Sequence, residues 1–238
     1  MSIAIVGAAV TGNGATIAKA SVTAGSLLTL QTGFYRVGAT GNPEAVPTDS
    51  QGTWSTASAS APGQNLAVTA ECGASIFYQA NVASGTHTVT VQTNAGKALT
   101  LAEWSGATSA PLDASANART NAFPGTSQVT GTTATTVQAD ELSLIALGLQ
   151  APSGSSDVGF TDPVSGYTTL QKQSSDLGTT PAALHSYKIL TSIGTQSATF
   201  NWTSTEVNQF CGGAIATFKA TAAAGGDVDE QMTSDLYF

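Results

Sequence analysis

Apolar and polar residues alternate with a period of two along most of this chain. Thr86-His87-Thr88-Val89-Thr90-Val91, Leu99-Thr100-Leu101-Ala102-Glu103-Trp104, Leu142-Ser143-Leu144-Ile145-Ala146-Leu147 and Ala198-Thr199-Phe200-Asn201-Trp202 all read this way. Such alternation puts one strand face in a core and the other in water. Thr, Val and aromatic residues favour that pleated, half-buried surface. Turn formers separate the runs: Gly12-Asn13-Gly14, Gly41-Asn42-Pro43, Pro62-Gly63, Asn94-Ala95-Gly96 and Pro152 to Ser156. No stretch longer than two turns carries a helical stripe, and only Glu44–Val46 and Thr180–Ala183 suit a short helical turn. The pattern predicts an all-β protein.

The pattern also recurs. Leu27 to Leu30 resembles Leu142 to Ile145, Thr48 to Trp54 resembles Thr161 to Tyr167, and Ser75 to Tyr78 resembles Leu184 to Tyr187. Gly85 with Thr88 to Val91 resembles Gly194 with Ser197 to Phe200. The offsets run from 115 down to 109 residues, so each half holds about five strands in one order. Neither half has many large apolar residues with which to close a core alone. Two such halves are either two domains or one pseudosymmetric sandwich, and the favoured expectation is one: a jelly-roll-like antiparallel β-sandwich made of two similar Greek-key halves. Residues 1–15 form an N-terminal strand or arm, and residues 16–222 form the sandwich. Its halves span about 16–106 and 126–220, and residues 107–125, with Pro111, Pro124 and Gly125, form the crossover loop. Residues 223–238 form a flexible acidic tail.

Composition narrows the function classes. The 238 residues carry 41% hydrophobic and only 9% charged side chains, against about 25% charged in an ordinary domain. A net charge of −8 disfavours nucleic acid, which needs cations to replace phosphate counterions. It disfavours an anionic membrane surface for the same reason. No segment approaches the ~18 continuous apolar residues of a membrane span. The N-terminal MSIAIVGAAV lacks the positive region of a signal peptide. Cys72 and Cys211 cannot make a zinc site alone. They are two buried free thiols, or a disulfide if their strands meet. Asp227, Asp229, Glu230 and Asp235 precede Leu236-Tyr237-Phe238, which makes the tail either a loose end or a docking arm.

Candidate chemistry is sparse. His87 lies between two threonines and is expected to face solvent. His185 sits near Tyr187, and neither histidine lies in a nucleophile motif. Glu71, Glu103, Asp113 and Glu206 could serve a glycosidase, but spacing pairs none of them. Glu103, in Leu101 to Gly106, is expected to accept local backbone hydrogen bonds instead. Asp49 to Gly52 and Asp157 to Asp162 resemble calcium loops without the EF-hand spacing. Gly7, Gly12 and Gly14 lack the βαβ context of a dinucleotide site and read as turns. Trp104 and Trp202 end alternating strands and read as core or sheet-face residues. Trp54, after a Gly-Thr turn, is the candidate for stacking on a glycan. No catalytic residue, cofactor or metal is expected.

One ordered set of motifs does carry a resemblance. Leu27 to Leu30, Thr48 to Trp54, Ile76 to Gly85, Thr88 to Val91 and Ala102 to Gly106, followed by Pro111-Leu112-Asp113, resemble a β-sandwich module of tailed-phage virion proteins and some bacterial surface proteins. The resemblance covers roughly residues 16–220. It implies a structural, non-enzymatic protein: a capsid decoration (cement) protein on the outer capsid surface, made in the bacterial cytoplasm and bound to the major capsid protein. The alternative it implies is a receptor- or glycan-binding fibre or tail module. Analogy with decoration proteins, and sheet edges that invite pairing, suggest a homo-oligomer, in first place a trimer. The expected partner-binding arms are residues 1–10, with Ile3, Ile5 and Val6, and residues 227–238, with Leu236, Tyr237 and Phe238.

Overall fold

The computed structural model describes residues 2–37, 43–60, 63–65, 70–92, 96–120, 125–150, 157–174, 181–203 and 211–222. Every regular element among them is a strand, and every pairing is antiparallel. The first half carries β1 (Ala4–Ile5), β2 (Val10–Gly12), β3 (Thr16–Val22), β4 (Leu27–Val37), β5 (Thr48–Asp49), β6 (Gly52–Thr53), β7 (Ser55–Ala59), β8 (Gly63–Asn65), β9 (Ala70–Gln79), β10 (Gly85–Thr90) and β11 (Gly96–Ser105). The second carries β12 (Ala107–Thr120), β13 (Ser127–Val129), β14 (Leu142–Leu149), β15 (Thr168–Gln173), β16 (Ala182–Ile189), β17 (Thr199–Asn201) and β18 (Cys211–Ala220). The segment Pro43–Pro47 is irregular and Ala182-Ala183 opens β16, so neither expected helical turn is seen among the described residues.

Each half contributes one large and one small sheet. In the first half the large sheet runs β1-β11-β4-β9-β7, with β2 beside β1 on β11 and β8 on β9, and the small sheet runs β3-β10-β5-β6. In the second the large sheet runs β12-β18-β14-β16-β15, and the small sheet is β13-β17. The orders correspond strand for strand: β11-β4-β9-β7 matches β18-β14-β16-β15, and β3-β10 matches β13-β17.

Alternation along the strands sorts the apolar residues into three clusters. Leu28, Leu30, Trp54, Phe77, Val89, Leu99 and Leu101 fill the space between the two sheets of the first half. Ile145, Leu147, Leu149, Phe160, Tyr167, Leu184, Phe200 and Ile215 do the same in the second. Leu27, Ile76, Trp104, Leu142, Leu144, Ala216 and Phe218 lie between the two large sheets. The molecule is thus a stack of four sheets, small-large-large-small. This corrects the expected single shared core, because both faces of each large sheet are buried. The periodicity showed one apolar face per strand, but β14 is buried at all eight positions.

The two large sheets meet unevenly. At one end Gly33, Gly73, Gly148 and Gly212 bring backbone against backbone. A methyl group on Gly33 would stand 2.9 Å from the Leu147 carbonyl oxygen, and one on Gly148 would overlap the Gly73 carbonyl. At the other end rings wedge the sheets apart: Tyr78 meets Phe218 edge-on at 5.5 Å, and Trp104 meets Tyr187 at 5.1 Å. Trp104 Nε1 donates to Thr29 Oγ1 at 2.8 Å, so this buried ring leaves no bare donor.

The expected crossover loop is mostly strand. Residues 107–120 form β12, the outer strand beside β18. Pro111 read as a breaker, but it falls in an irregularity of the register between Ala107 and Leu112, where a missing N–H interrupts no ladder. The chain then returns along a threonine ladder. Thr130, Thr133 and Thr136 donate their N–H groups to the carbonyls of Ala198, Gln196 and Gly194. Their hydroxyls accept the N–H groups of the same three residues at 2.9–3.1 Å. Three residues on one chain thus face two on the other, and the hydroxyl replaces the acceptor that this mismatch removes.

The sheet edges are blunted. The β3 edge carries a bulge with Ser21 at φ 55° and turns Lys19 inward. β15 is short and exposes Lys172, and β1 and β2 are interrupted at Gly7. These are devices that discourage edge-to-edge pairing.

Candidate functional site

Most of the chemistry-bearing side chains point inward. The first 105 residues hold seven charged side chains. Lys19, Arg36, Glu44, Glu71, Lys97 and Glu103 are buried, and the carboxylate of Asp49 is covered by its partner His87. Charged groups are normally the most exposed of all, so this half inverts the usual arrangement.

Four of these charges form one neutral cluster beside the irregular Pro43–Pro47 segment. Lys97 Nζ meets Glu44 Oε1 at 2.5 Å, Thr32 Oγ1 donates to Glu44 Oε2 at 2.5 Å, and Arg36 Nε pairs with Glu71. The Phe34 ring lies between the cations, 5.2 Å from Arg36 and 5.6 Å from Lys97. Burial holds the Lys97 ammonium below its ordinary pKa, and the Glu44 charge partly restores it. Burial also lowers Arg36, again opposed by Glu44.

The two histidines lie apart, and both are buried. His87 is buried, not solvent-facing: Nδ1 lies 2.6 Å from Asp49 Oδ2 and Nε2 lies 3.0 Å from the Ala83 carbonyl. Its alternation was legible, but the small sheet turns that face inward. His185 is fully buried between the large sheets, with Nδ1 2.8 Å from Thr100 Oγ1. Thr100 also donates to Gln171 Oε1 at 2.7 Å. Its proton being used there, Thr100 accepts from His185 Nδ1–H, which leaves Nε2 as a bare acceptor. Desolvation lowers His185 to a pKa of about 3. Gln31 joins the group by donating to the carbonyls of Ile145, at 2.7 Å, and Ser186, at 3.2 Å.

Glu103 accepts from Thr23 N at 2.9 Å and Ser26 Oγ at 3.0 Å, fastening the turn before β4. Glu71 is spent on Arg36, Asp113 accepts from Val137 N at 2.9 Å, and Glu206 lies outside the described residues. Asp49 and Asp157 cap their own turns through Gln51 N and Gly159 N. No group of three or more metal-ligating side chains occurs among the described residues. Cys72 and Cys211 are buried free thiols, and burial pushes Cys211 up to about 12.

The surface candidates fare differently. Trp54 is 3% exposed and packs in the first-half core, so no face of its ring is free for a sugar. This corrects the glycan-stacking expectation: the Gly52-Thr53 turn sends the ring inward, as Tyr167 is in the other half. Ile3 is 2% exposed between the large sheets and Ile5 packs against the same cluster. Val6 N donates to Glu103 O at 2.8 Å. The N-terminal segment is therefore docked on its own β11 and is not a free arm. Leu236, Tyr237 and Phe238 lie outside the described residues.

Sequence reasoning missed the outer face of the first small sheet. Register aligns Thr16, Thr90, Thr48 and Thr53 across four strands, all exposed. Thr86, Thr88, Ala18 and Ala20 extend the face, which carries no charge. Exposed charge appears in the second half, at Arg119, Asp140, Asp157, Asp162 and Lys172. Comparison with family models, curated proteins and solved structures finds no match.

Proposed function

We propose that this chain is a structural subunit of a tailed-phage particle, a capsid decoration protein that binds the major capsid protein on the outer capsid surface. The observation that carries the reading is the charge-free exterior of the first half. Its six buried charges and the His87–Asp49 pair stabilise the inside, while the outside offers hydroxyls and methyls. Covering such a surface desolvates no ion, so a partner face can be applied at small electrostatic cost. The blunted edges direct contacts to faces and to the acidic end of the chain. Assembly as a homo-oligomer, with a trimer first, belongs to the same proposal and rests on analogy.

Two measurements test it. Quantitative mass spectrometry of purified virions should find hundreds of copies; absence from the particle rejects the reading. Removing residues 224–238 should leave the sandwich folded and lower particle occupancy, and unchanged occupancy rejects the arm.

A second reading is a glycan-binding fibre module. The exposed threonine row favours it, since hydroxyls on a neutral face suit a neutral sugar. Replacing Thr90 with Glu should then abolish retention on neutral polysaccharide while leaving the fold intact.

A further inference from the structure

One buried carboxyl remains outside every network described so far. Glu141 immediately precedes β14 and is fully buried, yet neither of its carboxylate oxygens has a hydrogen bond of ordinary geometry. A bare, ionised carboxylate in such a place is strongly disfavoured. On β12, with β18 between, stands a second carboxyl, Asp113, half-buried and accepting from Val137 N. The Thr217 hydroxyl of β18 and the Gln138 backbone also face Glu141. Of the nearby ionisable groups, Asp113 is the one whose charge reaches it. Lys188 is held over the Tyr167 ring at 5.2 Å, Lys219 is the half-buried cross-strand neighbour of Glu141 on β18, and Asp140 faces solvent.

The segment between the two carboxyls is lightly fastened. Val137 is 64% exposed and Asp140 has φ 62°. Its ties are Val137 N to Asp113, Gln138 Nε2 to Ala220 O at 3.0 Å, and Asp140 N to Leu190 O at 2.9 Å. Leu190 N in turn donates to Glu141 O at 2.8 Å.

We propose that Asp113 and Glu141 share one proton and thereby latch the 137–141 turn onto β12 and β18, and that loss of this proton to solvent releases the turn. With the proton, one carboxyl donates to the other and the buried oxygens are satisfied. Without it, two carboxylates face each other in a poorly hydrated site, and water must enter to separate them. Burial, then the Asp113 charge, push the Glu141 carboxyl up to about 7 from an ordinary 4.5. A folded value above the open value means the latch is tight below about pH 4.5 and loosens as pH rises towards 7. Opening should grow about tenfold per pH unit across that window and level off above it.

Amide hydrogen exchange on the full chain at pH 5 and pH 7, corrected for intrinsic rates, tests this. The N–H groups of Val137, Asp140 and Leu190 should lose protection about fortyfold between the two, while that of Phe77 on β9 holds. In Glu141→Gln the loss should vanish. Protection of the turn that is independent of pH, or an unchanged loss in Glu141→Gln, overturns the latch. Should that variant not fold, Asp113→Asn serves instead: the loss should move to lower pH, and a loss at the original pH overturns the proposal.

Discussion

His185 shows how a single buried side chain sets a pH response. It stays neutral between the large sheets because desolvation lowers its pKa to about 3. The unfolded chain protonates near pH 6.5, so below that value it takes up a proton that the folded chain refuses. Stability should therefore fall by about 1.4 kcal/mol per pH unit below pH 6.5 through this group. Urea unfolding of the natural chain and of His185→Gln checks this, and the variant should lack the term. Glu141 acts in the opposite sense from about pH 4.5 to 7, so the natural chain should show a muted slope where the two windows overlap.

The Lys97–Glu44 pair makes the second residue-scale case. Both groups are almost completely buried, so removing one strands the other. Lys97→Met should cost about 3–5 kcal/mol. Replacing both, as Lys97→Met with Glu44→Leu, should recover most of that loss, although Thr32 then loses its acceptor. Denaturant midpoints of the single and double variants decide it. A double variant as unstable as the single would mean that the ions stabilise the fold outright.

At the scale of elements, the decisive feature is the approach of the two large sheets. β4 and β9 reach β14 and β18 through glycine at one end and rings at the other. Gly148→Ala should therefore be far costlier than the same change on a surface strand. Its methyl overlaps a carbonyl of β9 that cannot move without shifting the whole sheet. A loss of about 3 kcal/mol or more is expected, at the upper end of overpacking effects, and thermal unfolding measures it. Period-two patterning marked β10, β11, β14 and β17, and the internal repeat pointed to β4, β9 and β16. It failed for β12, because Pro111 and the polar run around it look like a loop until β18 supplies a ladder with room for irregularities.

For the whole molecule, the cluster between the large sheets ties the halves together. Leu142, Leu144, Ala216 and Phe218 of one half pack with Leu27, Ile76 and Trp104 of the other. Exposing that layer would strip both halves of a buried face, so neither should outlive the other. Calorimetry should show one transition whose calorimetric and van't Hoff enthalpies agree. Two resolved transitions would mean that each half's inner core suffices alone.

The sequence by itself determined the all-β class, several of the strand positions and the internal repeat, since alternation, turn residues and composition are local properties. It also marked Glu103 as an acceptor of hydrogen bonds, although the donors are Thr23 and Ser26, distant in sequence, and not local backbone; Trp104 and Trp202 it marked as core or sheet-face residues. Tertiary structure alone decided what each face meets. It turned Trp54 and His87 inward, drew Ile3 into the layer between the large sheets, and placed Asp113 beside Glu141. Alternation says that successive side chains point to opposite sides of a strand, but not whether the second side meets water or another sheet. In a four-layer stack the inner sheets have no wet face, so a polar residue such as Thr100, which alternation assigns to the polar side of its strand, becomes buried and meets His185 and Gln171.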